Sequence, residues 1–261
     1  MTTQVNDRSV ALITGASQGI GFTVAKRLAE AGYAIALVAI DNETLHAAAA
    51  EISKIAPAIA YGADLANTSQ IPDIVSKVVA DFGRLDVVFN GAGATKRGAL
   101  DDLSDADWIA GFSVKFFGTV AFTRAAWPHL KENHGSLINI AGALAHTPNR
   151  ESLIGGAICS ALHNFTKAIA EQGRLDGVQV NSINPGWIDT GRLESQLESK
   201  AKKAGHNDRA RAASDMISEL QISRFGQPDD VAGLVLYLLS KGGSFVHGAS
   251  LDIDGGLTKG I

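Results

Sequence analysis

The sequence is poor in cysteine and in long apolar runs. Its single cysteine, Cys159, excludes an internal disulfide and is typical of a protein from a reducing compartment. The longest apolar runs, such as residues 231–239, are far shorter than the roughly 20 residues that a membrane-spanning helix needs. Residues 1–7 are polar and lack the apolar segment of a signal peptide. We therefore predict a cytoplasmic protein that does not engage a membrane.

An excess of basic charge is also absent. There are 23 Lys and Arg against 27 Asp and Glu, a net charge of −4, and no basic stripe stands out. This balance argues against a nucleic-acid partner. The seven histidines include no pair at the spacing of a helical zinc motif, so no metal site is predicted.

Short β-type segments alternate with longer helical patterns along the chain. Segments such as 10–13, 34–38 and 136–140 are apolar without polar alternation, which is typical of strands covered on both faces. The helical patterns between strands span residues 20–31, 43–55, 69–82, 104–130, 158–172 and 229–240. The alternation predicts an α/β protein, a Rossmann-type doubly wound parallel sheet in a single domain over residues 1–261.

A polar, helix-prone insertion at about residues 190–222 interrupts this alternation. Basic and acidic side chains are mixed along it, which is typical of a solvated helical hairpin. The alternative interpretation is a mobile lid over a pocket at the carboxyl edge of the sheet, where open α/β folds bind ligands. The sequence leaves both open.

Glycine is the one residue in clear excess, at 28 of 261 residues. The first predicted strand ends in residues 14–21, Thr-Gly-Ala-Ser-Gln-Gly-Ile-Gly, and leads directly into a helix. Glycines at such a turn let the backbone approach a pyrophosphate, which then meets the positive end of the helix. The pattern predicts a dinucleotide site, although a tight strand-to-helix turn would favour the same residues.

These residues resemble the cofactor motif of the short-chain dehydrogenase/reductase family, and the resemblance extends over nearly the whole chain. Residues 90–93 are similar to its Asn-Asn-Ala-Gly motif, residues 184–190 to its Pro-Gly motif, and residues 224–228 and 252–256 to its C-terminal segment. The resemblance implies about seven strands, a homo-oligomer (dimer or tetramer) and a bound dinucleotide. The cofactor-binding residues that it implies are Gly15, Ser17, Gln18, Gly19, Ile20, Gly21, Asp64, Leu65, Asn90, Gly91, Ala92, Gly93, Pro185, Gly186, Ile188 and Thr190.

The end of the second strand bears on the choice between NAD and NADP. In the family an acid there selects NAD, whereas an arginine one residue later often binds the 2′-phosphate of NADP. Ala39 and Ile40 occupy these positions, and Gln18 stands where NADP enzymes often have a second basic residue. Asp41 either reaches the ribose or is a solvated turn residue. Because no cation is present for the 2′-phosphate, we predict NAD in preference to NADP.

The catalytic positions depart from the family pattern. The family uses an asparagine, a serine, a tyrosine and, four residues later, a lysine. Counting from residues 138–140 and 165–171, which match the family, places these positions at Lys115, Gly142, Gly155 and Cys159. A glycine has no side chain to donate a proton or a hydrogen bond. The three tyrosines of the chain, Tyr33, Tyr61 and Tyr237, fall on other predicted elements.

Four residues remain as catalytic candidates. Lys115 would point into the site, as a base or nucleophile or as a cation that fills space beside the cofactor. Cys159 would be a thiolate or simply a small packed side chain. His146 and Glu151, on the loop before the tyrosine position, would act as acid or base or remain solvated. Nearby, Lys96 and Arg97 would suit an anionic substrate.

Two functions follow from this pattern. The first is an oxidoreductase with non-standard catalytic residues, acting on a small molecule that the sequence does not identify. The second is a catalytically silent, NAD-binding subunit that assembles as a hetero-oligomer with an active family member, a paralogue.

Overall fold

The computed structural model describes residues 8–93 and 95–259 of the chain. The polar segment 1–7, on which the expectation of no signal peptide rests, lies outside the described residues. A seven-stranded, wholly parallel sheet forms the centre, in the order β3-β2-β1-β4-β5-β6-β7. The strands are β1 (Val10–Thr14), β2 (Ala34–Ala39), β3 (Ala58–Gly62), β4 (Val87–Asn90), β5 (Ser136–Ile140), β6 (Gln179–Pro185) and β7 (Ser250–Ile253). The prediction of a doubly wound Rossmann-type sheet is confirmed.

The central strands are apolar because helices cover both of their faces. Every residue of β1 and β2 is buried, as their continuous runs of valine, leucine, isoleucine and alanine predict. On one face pack α1 (Gly19–Glu30), α2 (Glu43–Ile52) and α9 (Pro228–Leu239). On the other pack α3 (Ile71–Phe82), α5 (Gly118–Glu132) and α6 (Leu153–Asp176). Two apolar cores thus hold the sheet, and its carboxyl edge is left for a site.

The predicted helix over residues 104–130 is wrong in one respect. The structure divides it into α4 (Asp105–Gly111), a π-helical segment (Phe112–Phe117) and α5. Ser104 caps the start of α4, because its side chain accepts a hydrogen bond from the amide of Asp107. A π turn uses i→i+5 hydrogen bonds, which residue propensities do not reveal, and such turns often lie at functional sites. Here the segment contains Lys115.

The predicted start of α6 is also wrong. The helix begins at Leu153 rather than at 158, so Gly155 lies within its first turn. The low helix propensity of paired glycines concealed this turn, which tertiary packing stabilises instead.

The insertion after β6 is helical, as predicted. It consists of α7 (Gly191–Lys203) and α8 (Arg209–Leu220). The two helices pack through Leu193, Leu197 and Met216 onto Ile222 and Phe225. Whether this insertion moves as a lid stays a prediction. Among the described ranges, no helix is both long enough and apolar enough to cross a membrane.

Candidate functional site

The glycine-rich loop is tied to the end of the neighbouring strand. Thr14, the last residue of β1, accepts hydrogen bonds through Oγ1 from the amides of Gly91 (3.1 Å) and Ala92 (3.2 Å). The loop itself is anchored to β2 by a hydrogen bond of 2.8 Å from the Gly15 amide to the Val38 carbonyl. These bonds bring two of the predicted cofactor motifs together at the carboxyl edge of the sheet.

The loop has a shape that side chains would destroy. Gly15 has a φ of +69°, and a β-carbon there would lie 2.8 Å from Ala92 Cα. A β-carbon on Gly21 would lie 2.2 Å from the Gly15 carbonyl oxygen. Gln18 precedes α1 without any side-chain hydrogen bond to the first turn, which leaves the helix amides available to an anion. The residues therefore fit a dinucleotide pyrophosphate.

The remaining predicted cofactor residues border the same edge. A β-carbon on Gly19 would lie 3.5 Å from Thr190 Cγ2, so the segment after β6 faces the glycine loop. Asn90 donates to Asn139 Oδ1 at 2.9 Å, and the Gly186 amide donates to the Ile253 carbonyl at 3.1 Å. The others in this border are Ser17, Ile20, Asp64, Leu65, Gly93, Pro185 and Ile188.

Lys115 reaches from the π segment across the end of β4. Its aliphatic stem lies against Gly93, where a β-carbon would come within 2.7 Å of the lysine Cβ and Cγ. Its Nζ donates to the Ala141 carbonyl at 2.7 Å and lies 3.8 Å from Cys159 Sγ. The Cys159 thiol also donates to the Ala141 carbonyl, at 3.1 Å. One carbonyl thus joins a lysine and a cysteine from two different helices.

The ammonium of Lys115 sits in an unfavourable environment for a charge. Burial lowers the pKa of Lys115 below its ordinary value, the Cys159 sulfur partly offsets this, and the positive charge of Arg192 lowers it further. A lysine whose pKa is lowered by burial gives up its proton more readily than an exposed lysine, which suits it to acid–base chemistry.

Two glycines complete the surroundings of this lysine. Gly142, after β5, has a φ of +141°, and a β-carbon on it would lie 3.1 Å from Cys159 Sγ. A β-carbon on Gly155, in α6, would lie 3.1 Å from Thr95 Oγ1. The four positions deduced from the sequence as catalytic therefore neighbour one another or line the same helix, with only Lys115 and Cys159 carrying functional side chains.

The remaining candidate residues, Glu151, Lys96 and His146, contact other partners than Lys115 and Cys159. Glu151 is exposed, with its Oε2 atom 3.9 Å from Arg97 Nη2. Lys96 pairs with Asp107 at 2.8 Å, so its ammonium is held at α4. His146 is exposed, and its ring lies tilted against that of His163, with 4.7 Å between the ring centroids and 44° between the ring planes.

His163 is a residue that the sequence reasoning missed. Asn184 donates through Nδ2 to Asp252 Oδ1 at 2.7 Å, and this carboxylate oxygen can only accept. The amide oxygen of Asn184 is therefore the atom that lies 2.5 Å from His163 Nε2, and it accepts a hydrogen bond from that nitrogen. The Nε2–H tautomer leaves Nδ1 as the acceptor atom of the ring. Burial lowers the pKa of His163, and the nearby His146 and Lys115 add to the lowering. The register that pairs Asn184 with Asp252 is a long-range feature with no local sequence signal.

Comparison with known proteins places the chain in a family. The profile described as Enoyl-(Acyl carrier protein) reductase matches residues 15–258. The chain belongs to the short-chain dehydrogenase/reductase family. It is 33% identical over 258 residues to the (2S)-[(R)-hydroxy(phenyl)methyl]succinyl-CoA dehydrogenase subunit BbsD of Thauera aromatica, covering 95% of each protein. The sequence-based assignment to this family is confirmed, and with it an oxidoreductase fold that binds NAD(P).

Solved structures of the family superpose closely on this fold. L-sorbose reductase from Gluconobacter frateurii, complexed with NADPH and L-sorbose, gives a TM-score of 0.92 at 28% identity, covering 97% of this chain and 98% of the other. NAD+-bound xylitol dehydrogenase gives 0.88 at 29% identity, with coverage of 95% and 98%. An NADPH-bound short-chain oxidoreductase from Pseudomonas aeruginosa PAO1, described as containing an atypical catalytic center, gives 0.87 at 25% identity, with coverage of 97% and 98%. Members of this family similar to the chain thus bind either dinucleotide.

The two positions at which the family selects between NAD and NADP lie at the end of β2. Ala39 is buried, and Ile40 is 54% exposed beside it. Asp41 pairs with His46, with 2.7 Å between Oδ1 and Nε2, so it already has a partner at the surface.

The three tyrosines lie outside the candidate site, on the elements that the sequence predicted. Tyr61 in β3 donates to Asp81 at 2.8 Å, Tyr33 precedes β2, and Tyr237 lies in α9. Within the described ranges, no group of three or more His, Cys, Asp or Glu side chains is arranged to hold a metal ion.

Proposed function

We propose that this protein is an NAD(H)-dependent oxidoreductase of the short-chain dehydrogenase/reductase family that uses Lys115 in place of the missing tyrosine. The observation that supports this most is the position of the Lys115 ammonium, which bridges the Ala141 carbonyl and Cys159 among the four catalytic positions. Family members that it resembles are named reductases and dehydrogenases, and one is described as having an atypical catalytic center.

The chemistry requires one proton donor at the substrate oxygen. When bound, the reduced nicotinamide would supply the hydride for reduction of a carbonyl, and the oxidised form would accept the hydride in oxidation of an alcohol. In the reduction direction the Lys115 ammonium donates a proton to the substrate oxygen, and in the oxidation direction its neutral amine accepts that proton. Gly142 and Gly155 contribute no side-chain donor, so this role falls to Lys115. The hydrogen bond from Lys115 Nζ to the Ala141 carbonyl orients the side chain in both its charged and its neutral form.

A titration with NADH and NADPH tests whether the protein binds a dinucleotide cofactor. We expect the purified protein to bind NADH, followed by fluorescence, and to bind NADPH at least about tenfold more weakly, because an unpaired 2′-phosphate loses a charge-assisted hydrogen bond. The Ile40→Arg variant is expected to recover NADPH affinity, since residue 40 is exposed beside the predicted ribose position. Ile40→Met is the matched control and should change neither affinity. Failure to bind either cofactor would refute this function.

A silent NAD-binding subunit is the second candidate. It is favoured by the absence of side chains at Gly142 and Gly155, and the similar BbsD protein is itself named a dehydrogenase subunit. In this case the chain assembles with a paralogue that carries the chemistry; in the first case it forms a homo-oligomer, a dimer or tetramer. Native purification from the cytoplasm, where we place the protein, distinguishes them. Co-elution of a paralogue with turnover only in the mixture supports the subunit, and a homo-oligomer with its own turnover excludes it.

A further inference from the structure

One buried asparagine joins three elements just before the Pro-Gly pair of residues 185–186. Asn184, in β6, is fully buried. Its Nδ2 group donates to Asp252 Oδ1 at 2.7 Å and to Ser250 Oγ at 2.9 Å, and both of these acceptors belong to β7. Its Oδ1 atom accepts from His163 Nε2, in α6, at 2.5 Å. Both amide protons and the amide oxygen therefore have partners, and α6, β6 and β7 meet at this side chain.

The end of β7 in turn fixes the backbone of Gly186. The Gly186 amide donates to the Ile253 carbonyl at 3.1 Å, and a β-carbon on Gly186 would lie 2.7 Å from Asp254 Cα. Asn184 is the register partner of Asp252, so the side-chain bonds of this asparagine hold the two strands where these backbone atoms meet. The position of the chain after Gly186 thus depends on Asn184.

The segment 186–190 lies at the end of the cofactor site that is opposite to the adenosine. In the sheet order, β2 and β6 lie on opposite sides of β1, whose glycine loop fits the pyrophosphate. The ribose position that selects the cofactor is at the end of β2, so the nicotinamide half extends towards β6. Thr190 Cγ2 lies 3.5 Å from where a β-carbon on Gly19 would be, so the segment borders the loop. Lys115, bonded to Ala141 after β5, is on this same side.

His163 is the member of this network that lies outside the sheet. It is half-buried and follows Cys159 by one turn of α6. Among residues 8–93 and 95–259, His163 is the one residue that donates to Asn184 Oδ1. Without that donor the amide oxygen would be a buried acceptor with no partner, which costs free energy unless the amide turns or the strand ends shift. The orientation of Asn184 therefore depends on His163.

We propose that His163 is a positioning residue for the cofactor, which acts through Asn184 to hold segment 186–190 against the nicotinamide end of a bound dinucleotide. The identity of the bound molecule rests on the proposed function. The hold of His163 on the segment is a property of the protein alone and is measurable without a ligand.

Amide hydrogen exchange on the unliganded protein tests this hold. His163→Leu keeps an apolar side chain of similar size but donates no hydrogen bond. We expect exchange in segment 186–190 to become at least about fivefold faster, while the glycine loop at 15–21 keeps its rates within about twofold. No acceleration, or equal acceleration in both segments, would overturn the proposal.

Three further variants sharpen this measurement. In His163→Gln the side-chain nitrogen stands as many bonds from Cα as Nε2 does, so it reaches Asn184 and should restore the wild-type rates. His163→Asn is one bond shorter and should behave like His163→Leu, which it replaces if the leucine variant does not fold. His129→Leu, at another half-buried histidine, in α5, is the matched control and should change neither segment.

A comparison of NADH with ADP-ribose tests the consequence for the cofactor. The two ligands share the adenosine and the pyrophosphate, but ADP-ribose has no nicotinamide ring. We expect His163→Leu to weaken NADH binding at least about fivefold in calorimetry, because binding must then order the segment, and to leave ADP-ribose affinity within about twofold. His163→Gln should restore NADH affinity. A merely structural role of His163 would weaken both ligands alike, and that result would contradict the proposal.

A double variant assigns the effect to Asn184. If His163 acts through this residue, segment 186–190 should exchange no faster in the pair His163→Leu with Asn184→Ala than in Asn184→Ala alone. Additive acceleration would show that His163 acts by another route.

The two proposals fail in different ways. If the wild-type protein does not bind NADH but His163→Leu loosens segment 186–190 selectively, the proposed function is wrong and the hold of His163 on the segment stands. If NADH binds wild type and His163→Leu equally well and exchange is unchanged, the positioning role is wrong and the cofactor assignment stands.

Discussion

Replacing Lys115 with methionine is expected to lower kcat by about 10²–10⁴-fold, the usual contribution of a general acid or base, and to make the folded protein more stable. The catalytic loss follows because neither Gly142 nor Gly155 can supply a proton in its place. Steady-state kinetics in both reaction directions measure the first effect, and chemical denaturation measures the second.

The gain in stability has an electrostatic cause. Burial lowers the pKa of Lys115 in the folded state, so below that pKa the fold carries a desolvated charge. Methionine has a similar shape without the charge, and the Ala141 carbonyl keeps its hydrogen bond from Cys159. We expect the free energy of unfolding at pH 7 to rise by about 1–3 kcal/mol, as when other buried charges are replaced by apolar side chains.

The sign of the pH dependence provides a further check. Above the lowered pKa of Lys115 the unfolded chain binds the proton and the folded protein does not, so wild-type stability rises with pH through this window. The variant lacks this rise, and its advantage should shrink as the pH approaches the ordinary lysine pKa. In kinetics, reduction should fall and oxidation should rise as Lys115 loses its proton.

Two other variants separate proton transfer from simple charge. Lys115→Arg keeps a cation that does not deprotonate, so it should be nearly as inactive as Lys115→Met. Lys77→Met, at an exposed position of α3, is the control and should retain full activity and stability within about 0.5 kcal/mol. Turnover of Lys115→Met at the wild-type rate would remove Lys115 from the mechanism.

Substitution of Gly21 by alanine is expected to weaken NADH binding at least 100-fold. The new methyl group would lie 2.2 Å from the Gly15 carbonyl oxygen, a backbone atom of the loop, and the methyl group itself is fixed to the backbone of α1. Neither can rotate away, so the loop must move and lose its fit to the pyrophosphate. Overpacking of this kind also costs about 1–3 kcal/mol of stability. Fluorescence titration and denaturation measure the two effects.

Gly233 provides a matched control for this substitution. It lies in α9 at an exposed position, and a β-carbon there would have no atom within 4 Å. Gly233→Ala should leave NADH affinity unchanged and raise the free energy of unfolding by about 0.5–1 kcal/mol, the difference in helix propensity. If Gly21→Ala binds NADH as tightly as Gly233→Ala, the pyrophosphate lies elsewhere.

The sequence was most informative where a feature is local. The buried strands β1 and β2 and the glycine loop are contiguous segments, so composition and spacing predicted them and their common edge. The division of the helix around Lys115 was not predictable, because a π turn depends on hydrogen-bond register rather than on residue type. The meeting of Lys115 and Cys159 at the Ala141 carbonyl also depends on packing between distant segments. Contiguous motifs therefore located the cofactor site better than the contacts around Lys115.

The contact between Gly93 and the stem of Lys115 has a genetic consequence. Because a β-carbon at residue 93 would displace the side chain of residue 115, residue 93 is not free to change while residue 115 carries a side chain. A Gly93→Ala change should reproduce much of the Lys115→Met defect, and the double variant should be little worse than either single one. Because one of the atoms in the way is the β-carbon of residue 115, we expect descendants of this sequence to keep glycine at 93 whichever side chain stands at 115.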